Sequence, residues 1–575
     1  MKKEVKKKYS NSGIHFKIQI LSPQLHKYRV ELHLDLKKEF IRLHLPTWTP
    51  GSYMIRDYSG NILGLDAQSK RGRECKVEQK GLSHWELMSE DKTFVITYYV
   101  FGFEATVRTT FLDSEYGFIN PPSFFLYPEK CLDQSITIEF EKSPFKNIYS
   151  PLTFNDDNFL FATDYDHLYD SPIHLSNKNS YTFDSHSCSH EVIIEGNIPT
   201  TTKDNLLTDL KRITDKQSSM FGGNPNSYYL FILNLTESGY GGLEHSACSV
   251  NMFDPAKVTD HSEYLKLLGL LCHEYFHLWN VKRIRPIALG PFDYQKPALT
   301  KELWIAEGIT SFYDNYILFL SGITSISEYL NEIISDINRL EENWGEDWMS
   351  LEESSFTAWT KYYKQHPNYN NFGISYYIKG SLFIFCIDIH IRDLSKQKYS
   401  FFDVLLYLYK IFFLKKKRGF TKEEFFRAIQ DCTNVDIYSL FSEYLEFPKK
   451  LPFKFYLDKI GVHISKSYSK GVFPFETRTS NGKEVISKVY MQHLGGLDIS
   501  TGDELIAVNK KRIQRDSLER IKTTFEDGEE IHLLISRRDK IIERKFTAKN
   551  LYNYKLDSFK YENNPLGLFF FEGRN

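Results

Sequence analysis

The sequence predicts a multidomain α+β chain: an N-terminal antiparallel β domain of sandwich or saddle form, an α-rich second domain, and a small C-terminal β module. Three observations carry this. Residues 14 to about 195 alternate apolar with polar positions and are rich in β-branched and aromatic side chains. Helical periodicity takes over from about 200 to 450, and strand patterning returns from about 452. A chain of 575 residues is also too long for one core, since about 150 residues per domain gives three or four units.

The elements follow in order. HFKIQI (15–20), YRVELHLDL (28–36), FVITYYVF (94–101), SITIEF (135–140) and EVIIEG (191–196) read as strands, separated by Gly, Pro, Asn and Asp clusters. Next come a helix over 205–220 and the strand YYLFILNL (228–235). After a Gly-rich turn, helices are expected over 262–282, 300–320, 325–342, 375–394, 401–414 and 421–431. Thr421 and Glu424 form a capping-box signature for the last of these. Strands resume with turn signals at Ser480-Asn481-Gly482 and Gly495-Gly496, and residues 550–575 carry no strong pattern. The expected domains are 1–197, 198–451 and 452–549, with 550–575 as a tail.

Composition narrows the class. Lys and Arg number 72 against 74 Asp and Glu, a net charge of −2, which excludes a dedicated nucleic-acid binder with its basic excess. Hydrophobic content of 41% with 25% charged residues excludes bulk disorder. The 7 cysteines form no CxxC pair, so neither a disulfide framework nor a zinc ribbon is expected, and free thiols point to a reducing compartment. The start MKKEVKKKYSNSGIHFKIQI has no apolar stretch of the secretory kind. Phe401 to Leu414 is too short and, with Asp403 and Lys410, too charged to span a bilayer. A cytoplasmic location is the expectation. Lys415 to Arg418 reads as a solvated helix end.

The strongest motif is His273-Glu274-Tyr275-Phe276-His277, inside the helical pattern Tyr264, Leu267, Leu268, Leu271, Leu278. Positions i and i+4 share one helix face, so both imidazoles can converge on one ion. Glu274 lies about 100° round the helix from His273, where it can reach a water without ligating the metal. That is the pattern of a zinc hydrolase with Glu274 as general base. A catalytic zinc takes three protein ligands and keeps an open position. Glu307, a charge in the apolar run Leu303–Thr310, is the candidate third ligand, with Gly308 beside it to allow close backbone approach. Glu302 and Asp293 are weaker candidates. Asp314, seven residues on and on the same helix face, suits a partner behind the ligands.

Upstream, Gly239-Tyr240-Gly241-Gly242-Leu243-Glu244-His245 follows a strand. Gly241 and Gly242 would let a substrate backbone come close, and Glu244 can pair with a free ammonium. Downstream, Tyr376-Tyr377-Ile378-Lys379-Gly380 opens a helix, and a tyrosine hydroxyl near the metal can donate to an oxyanion, though spacing alone does not single out Tyr377.

HEYFHLWNVKR (273–283), AEGITSFYDN (306–315), GYGGLEH (239–245) and YIKG (377–380) resemble the gluzincin aminopeptidases. WTPGSYMIRDY (48–58), VRTTFLDSEYGFINPPSFFLY (107–127) and WN-x-KR-x-x-P (279–286), with a C-terminal PDZ-like module, resemble the glycyl aminopeptidase family in particular, over about 14–548. The resemblance implies a thermolysin-like catalytic domain and one zinc per chain, held by His273, His277 and Glu307. It implies Glu274 activating water, Glu244 on the substrate amine with Gly241 and Gly242 lining it, and Tyr377 at the oxyanion. It also implies a preference for N-terminal Gly and, less, Ala. The longer gap between the histidine helix and the third ligand departs from the larger aminopeptidases and fits this branch.

Residues 460–548 are similar to a bacterial PDZ module, most recognisably at GDELIAVN (502–509), which suggests either a peptide C-terminus as a further partner or a structural cap on the catalytic domain. Lys459-Ile460-Gly461-Val462 is a rough stand-in for its carboxylate-binding loop. Two rival functions remain at this point: a zinc endopeptidase on the same scaffold, and a non-catalytic peptide-binding protein using the PDZ-like module. Oligomeric state is not encoded legibly.

Overall fold

The structure, a computed structural model, describes residues 13–491, 494, 496–513, 521 and 525–573. The chain divides into two compact units: residues 1–283 with 289–298 and 320–323, and residues 284–288 with 299–319 and 324–575.

In the first unit the period-2 pattern builds what it predicts. Ile14–Ser22, Lys27–Leu34 and Phe94–Phe101 each bury alternate residues. They lie in a seven-stranded sheet in the order Thr153–Phe154, Leu160–Ala162, Ile136–Lys142, Ile14–Ser22, Lys27–Leu34, Phe94–Phe101, Ile62–Gln68. One row runs across five strands: Ile138, Phe16, Leu32, Ile96 and Ala67 are register partners, all buried. A one-residue slip would turn that whole row to solvent, which fixes the register. Ile14–Ser22 pairs with Ile136–Lys142 in parallel, a correction to the purely antiparallel domain expected. Connection length, which periodicity does not report, allows this: parallel neighbours need a long crossover, and more than 100 residues separate these two strands.

The same unit holds a five-stranded sheet ordered Tyr181–Ser185, Cys188–Glu195, Tyr228–Leu235, Cys248–Phe253, Tyr240–Glu244. Cys188–Glu195, Tyr228–Leu235 and Cys248–Phe253 run parallel, with helix Thr200–Met220 as the crossover between the first two. Tyr228–Leu235 is nearly all buried, as a parallel interior strand must be. Helix His261–Phe276 follows the sheet and ends earlier than the pattern to 282 suggests. The chain turns there, and Val281 takes φ 155°, a costly backbone for a β-branched residue.

The second unit is helical, then β. The run that carries Glu307 is Trp304–Gly308, a π-helical turn that leads into helix Ile309–Leu320. Helices Ile326–Glu341, Ile378–Leu394, Phe401–Leu408 and Lys422–Thr433 match the expected positions, and the Thr421–Glu424 capping box is formed. Phe401–Leu408 continues as a π-helical stretch to Lys416, and Lys417 turns left-handed at φ 54°. Lys416 and Arg418 pair with Glu424.

The C-terminal sheet, with strands from Phe475–Ser480 to Lys540–Thr547, has its own core around Phe473, Ile486, Leu505, Leu533 and Phe546. Of the expected turn Gly495-Gly496, Gly495 lies outside the described residues, as does His493 of the 493–513 segment. Segment 459–462 is already engaged: the Gly461 carbonyl accepts from the Lys560 N–H at 2.8 Å. The stretch 550–575, patternless in sequence, contributes strand Lys549–Phe559, which pairs with Val462–Val472, and helix Pro565–Phe571. Buried Arg392 holds that helix by donating to the Phe569 carbonyl at 2.7 Å.

All 7 cysteines are free, six of them buried. No helix among the described residues is long and apolar enough to cross a membrane. Phe16→Ala should cost about 3–5 kcal/mol of stability. Lys17→Ala, on the opposite face of the same strand, should stay within about 0.5 kcal/mol. Thermal melting of the two variants checks the inward register.

Candidate active site

Helix His261–Phe276 is built to keep its last turn still. Asp260 caps the start, accepting from the Glu263 N–H. Near the end, Gln217 donates to the Cys272 carbonyl at 2.9 Å, and the Tyr275 hydroxyl accepts from Asn224 at 2.6 Å. Trp279 stacks on Phe221 with ring centroids 4.5 Å apart. This turn carries His273, Glu274 and His277, all buried, with the two imidazole centroids 4.7 Å apart. His277 Nδ1 lies 2.7 Å from the Asn280 carbonyl oxygen. A carbonyl only accepts, so Nδ1 carries the proton and Nε2 is left as a ligand.

Strand Tyr240–Glu244 is the edge of the five-stranded sheet, with Gly242 opposite Asn251 and Glu244 opposite Ser249. A Cβ on Gly242 would stand 2.2 Å from Glu274 Oε1, so only glycine lets this strand rest on that carboxylate. Gly241, at φ 137°, opens onto free space. A Cβ on Gly51 would meet Glu244 Oε2 at 2.4 Å, which seats Glu244 against the backbone of the Thr49–Ser52 turn. That turn is itself pinned, because the Trp48 indole donates to the Asp293 carbonyl at 3.1 Å. One carboxylate oxygen each from Glu244 and Glu274 and a ring nitrogen of His277 lie within 4.8 Å of one another.

A cation sits among these acids. Lys282 Nζ donates to Asp170 Oδ1 at 2.8 Å, and its side chain is 11% exposed. Burial works against the ammonium, but the carboxylates of Asp170, Glu244 and Glu274 outweigh it and hold its pKa above the ordinary lysine value. Burial likewise pushes Asp170 up, yet Lys282 and His245 bring it well below the usual carboxylate range.

Glu307 is 3% exposed and sits in the π turn Trp304–Gly308. Such wide turns re-aim one side chain out of helical phase and recur at functional sites. A Cβ on Gly308 would meet Gly380 Cα at 2.7 Å, so two glycines let the π turn and helix Ile378–Leu394 touch backbone to backbone. Tyr377, at the start of that helix, packs at a tilt against Tyr376 with centroids 4.7 Å apart and stacks on Tyr362, and its hydroxyl lies 3.5 Å from that of Tyr363. Burial first, then the Glu307 charge, raises its pKa well above the ordinary phenol value. Asp314 is buried on Ile309–Leu320 and accepts from the Asn315 N–H. Of the weaker ligand candidates, Glu302 pairs with the Thr300 hydroxyl and Asp293 with Lys296.

His273 and His277 in the first unit and Glu307 in the second are all buried and are the candidate ligand set. Two imidazole nitrogens and one carboxylate oxygen make the donor set of a catalytic zinc site, so these residues fit that ion. Gly51 stands in the WTPGSYMIRDY run, but nothing in the sequence places it against Glu244, and sequence alone gives no handle on Asp170 or the π turn. Lys282 stands in the WN-x-KR run, where its basic character is visible but its burial is not.

Residues 266–383 match the sequence family described as M61 glycyl aminopeptidase, and residues 15–177 match the Peptidase M61 N-terminal domain. Among solved structures, an aminopeptidase N family protein from Idiomarina loihiensis is similar at 27% identity and TM-score 0.91, over 96% of this chain and 99% of that one. An M1 zinc metallopeptidase from Deinococcus radiodurans is 12% identical, over 76% of this chain and 94% of that one, with TM-score 0.45. Yeast LTA4 hydrolase in complex with bestatin is 14% identical, over 77% and 68%, with TM-score 0.44. No curated protein matches the chain in sequence.

The contact at Gly242 is open to test. Gly242→Ala should leave the melting temperature nearly unchanged, because an edge strand bears the change, yet displace Glu274. Peptide hydrolysis should fall by about 10²-fold, the usual effect of a misplacement of about 1 Å. Unchanged turnover would show that the close approach has no role.

Proposed function

We propose that the chain, which matches the M61 glycyl aminopeptidase family over residues 266–383 and its N-terminal domain over residues 15–177, is a zinc aminopeptidase releasing a small N-terminal residue, glycine before alanine. The observation that carries this reading is the closeness of Glu244 to Glu274 and His277. An acid that holds the substrate's ammonium this near the catalytic acid allows only the first peptide bond to reach it. An endopeptidase needs no such anchor.

His273, His277 and Glu307 would hold the ion, with Asp314 as the partner behind them. When bound, zinc supplies Lewis acidity toward water and toward the scissile carbonyl. Glu274 takes a proton from the attacking water and returns it to the leaving amine. The Tyr377 hydroxyl, kept protonated by its raised pKa, donates to the oxygen that gains negative charge. Glu244 fixes the ammonium, and Gly241 and Gly242 leave room for the substrate backbone along the edge strand. The Thr49–Ser52 turn, packed on Glu244, supports a small first residue by leaving little space beside the anchor. The C-terminal sheet as a PDZ-like module that takes a peptide C-terminus is a second, separate part of the proposal.

Glu274→Gln should keep its zinc, measured by metal analysis, and lose about 10²–10⁴-fold in kcat. Wild-type turnover in that variant would remove Glu274 from the mechanism. Glu244→Ala should raise KM for glycyl peptides about tenfold or more while the metal stays bound. Equal cleavage of free-amine and N-acetylated peptides by the wild type would mark an endopeptidase instead.

A further inference from the structure

We infer that Arg108 reads the C-terminal carboxylate of very short peptides, so that the preferred substrates are dipeptides with a free C-terminus; this rests on the aminopeptidase reading above. Arg108 lies in the VRTTFLD run, which the proposed mechanism leaves unused. Its Nη2 donates to the Gly242 carbonyl at 3.2 Å, on the edge strand that carries Glu244. Its Nε is buried without a hydrogen-bond partner, and no carboxylate among the described residues pairs with the guanidinium. The buried Arg392, by contrast, is matched to Asp388.

The position of Arg108 is fixed while its donors are underused. Its carbonyl accepts from the Tyr58 hydroxyl at 2.9 Å and from Asn120 Nδ2 at 2.8 Å, and its N–H donates to the Thr106 hydroxyl at 3.1 Å. A guanidinium offers five N–H donors in a fork that fits a carboxylate in bidentate fashion. Arg108 spends one on a backbone carbonyl.

Length selects the ligand. Gly242 stands two residues before Glu244, about 6.6 Å along a strand at about 3.3 Å per residue. An extended dipeptide spans about the same two residue lengths from ammonium to carboxylate. With its amine at Glu244 and its chain antiparallel to Tyr240–Glu244, its carboxylate arrives beside Gly242 and the Arg108 fork. Its single peptide bond then lies between them, within reach of Glu274, whose carboxylate is close to both Gly242 and Glu244.

The test compares kcat/KM for glycyl-leucine and glycyl-leucinamide in the wild type, Arg108→Met and Arg108→Lys. The wild type should favour the free acid by about tenfold or more, the effect of one charge-assisted contact. Arg108→Met should bring the acid-to-amide ratio close to one, and Arg108→Lys should keep part of the preference. A wild-type ratio near one overturns the inference. So does an Arg108→Met variant that loses both activities equally with the ratio intact, since the guanidinium would then only brace Gly242. Should Arg108→Met fail to fold, the wild-type and Arg108→Lys ratios decide. N-acetylglycyl-leucinamide separates the two levels: its cleavage at the free-amine rate overturns the aminopeptidase reading itself, whereas a strict free-amine requirement with no acid preference overturns only the role of Arg108.

Discussion

Buried negative charge is the constraint on which this molecule depends. Glu244, Glu274 and Glu307 are 4%, 5% and 3% exposed, and an ionised carboxylate out of water is costly unless something positive or donating stands beside it. Each acid has a glycine in its immediate surroundings: Gly51 against Glu244, Gly242 against Glu274, and Gly308 next to Glu307. Those glycines bring backbone where a side chain would otherwise stand, so space is kept for a cation and a substrate. Lys282, held by Asp170, is the cation the chain supplies itself. A metal at His273, His277 and Glu307 and the ammonium of a substrate at Glu244 would supply the rest.

The surrounding fold serves that arrangement. Parallel strands Cys188–Glu195, Tyr228–Leu235 and Cys248–Phe253 form the body of the sheet, and Tyr240–Glu244 is its edge strand, where an extended peptide would add. Helix His261–Phe276 is tied at its last turn by Gln217, Asn224 and the Asn280 carbonyl. The β-rich start of the chain is more than a support, since Gly51, Arg108 and Asp170 all come from it. In the second unit, packing of Gly308 on Gly380 fixes the turn that carries Glu307.

What can be read from sequence follows a physical rule. His273 and His277 are legible because helix periodicity brings i and i+4 to one face, and Glu307 because a charge in an apolar run needs a reason. The strands of the seven-stranded sheet are legible from alternation, but the parallel pairing of Ile14–Ser22 with Ile136–Lys142 is not, since alternation carries no direction. The π turn at Trp304–Gly308 has no periodic signature. Asp170 with Lys282, Gly51 with Glu244, and Arg108 with Gly242 are pairs far apart in sequence that tertiary packing alone brings together. The C-terminal stretch looks patternless because its strand pairs with Val462–Val472, roughly 90 residues upstream, and its helix is held by Arg392 from another element.

We propose that two histidines of one helix and one glutamate of another segment hold a single zinc ion. Anomalous diffraction at the zinc edge from zinc-loaded crystals tests it most directly. The account predicts one strong peak per chain, about 2.0–2.2 Å from a nitrogen of His273, a nitrogen of His277 and a carboxylate oxygen of Glu307. A peak coordinated by Glu244 or Glu274 in place of Glu307, or no peak beside the two histidines, would contradict it.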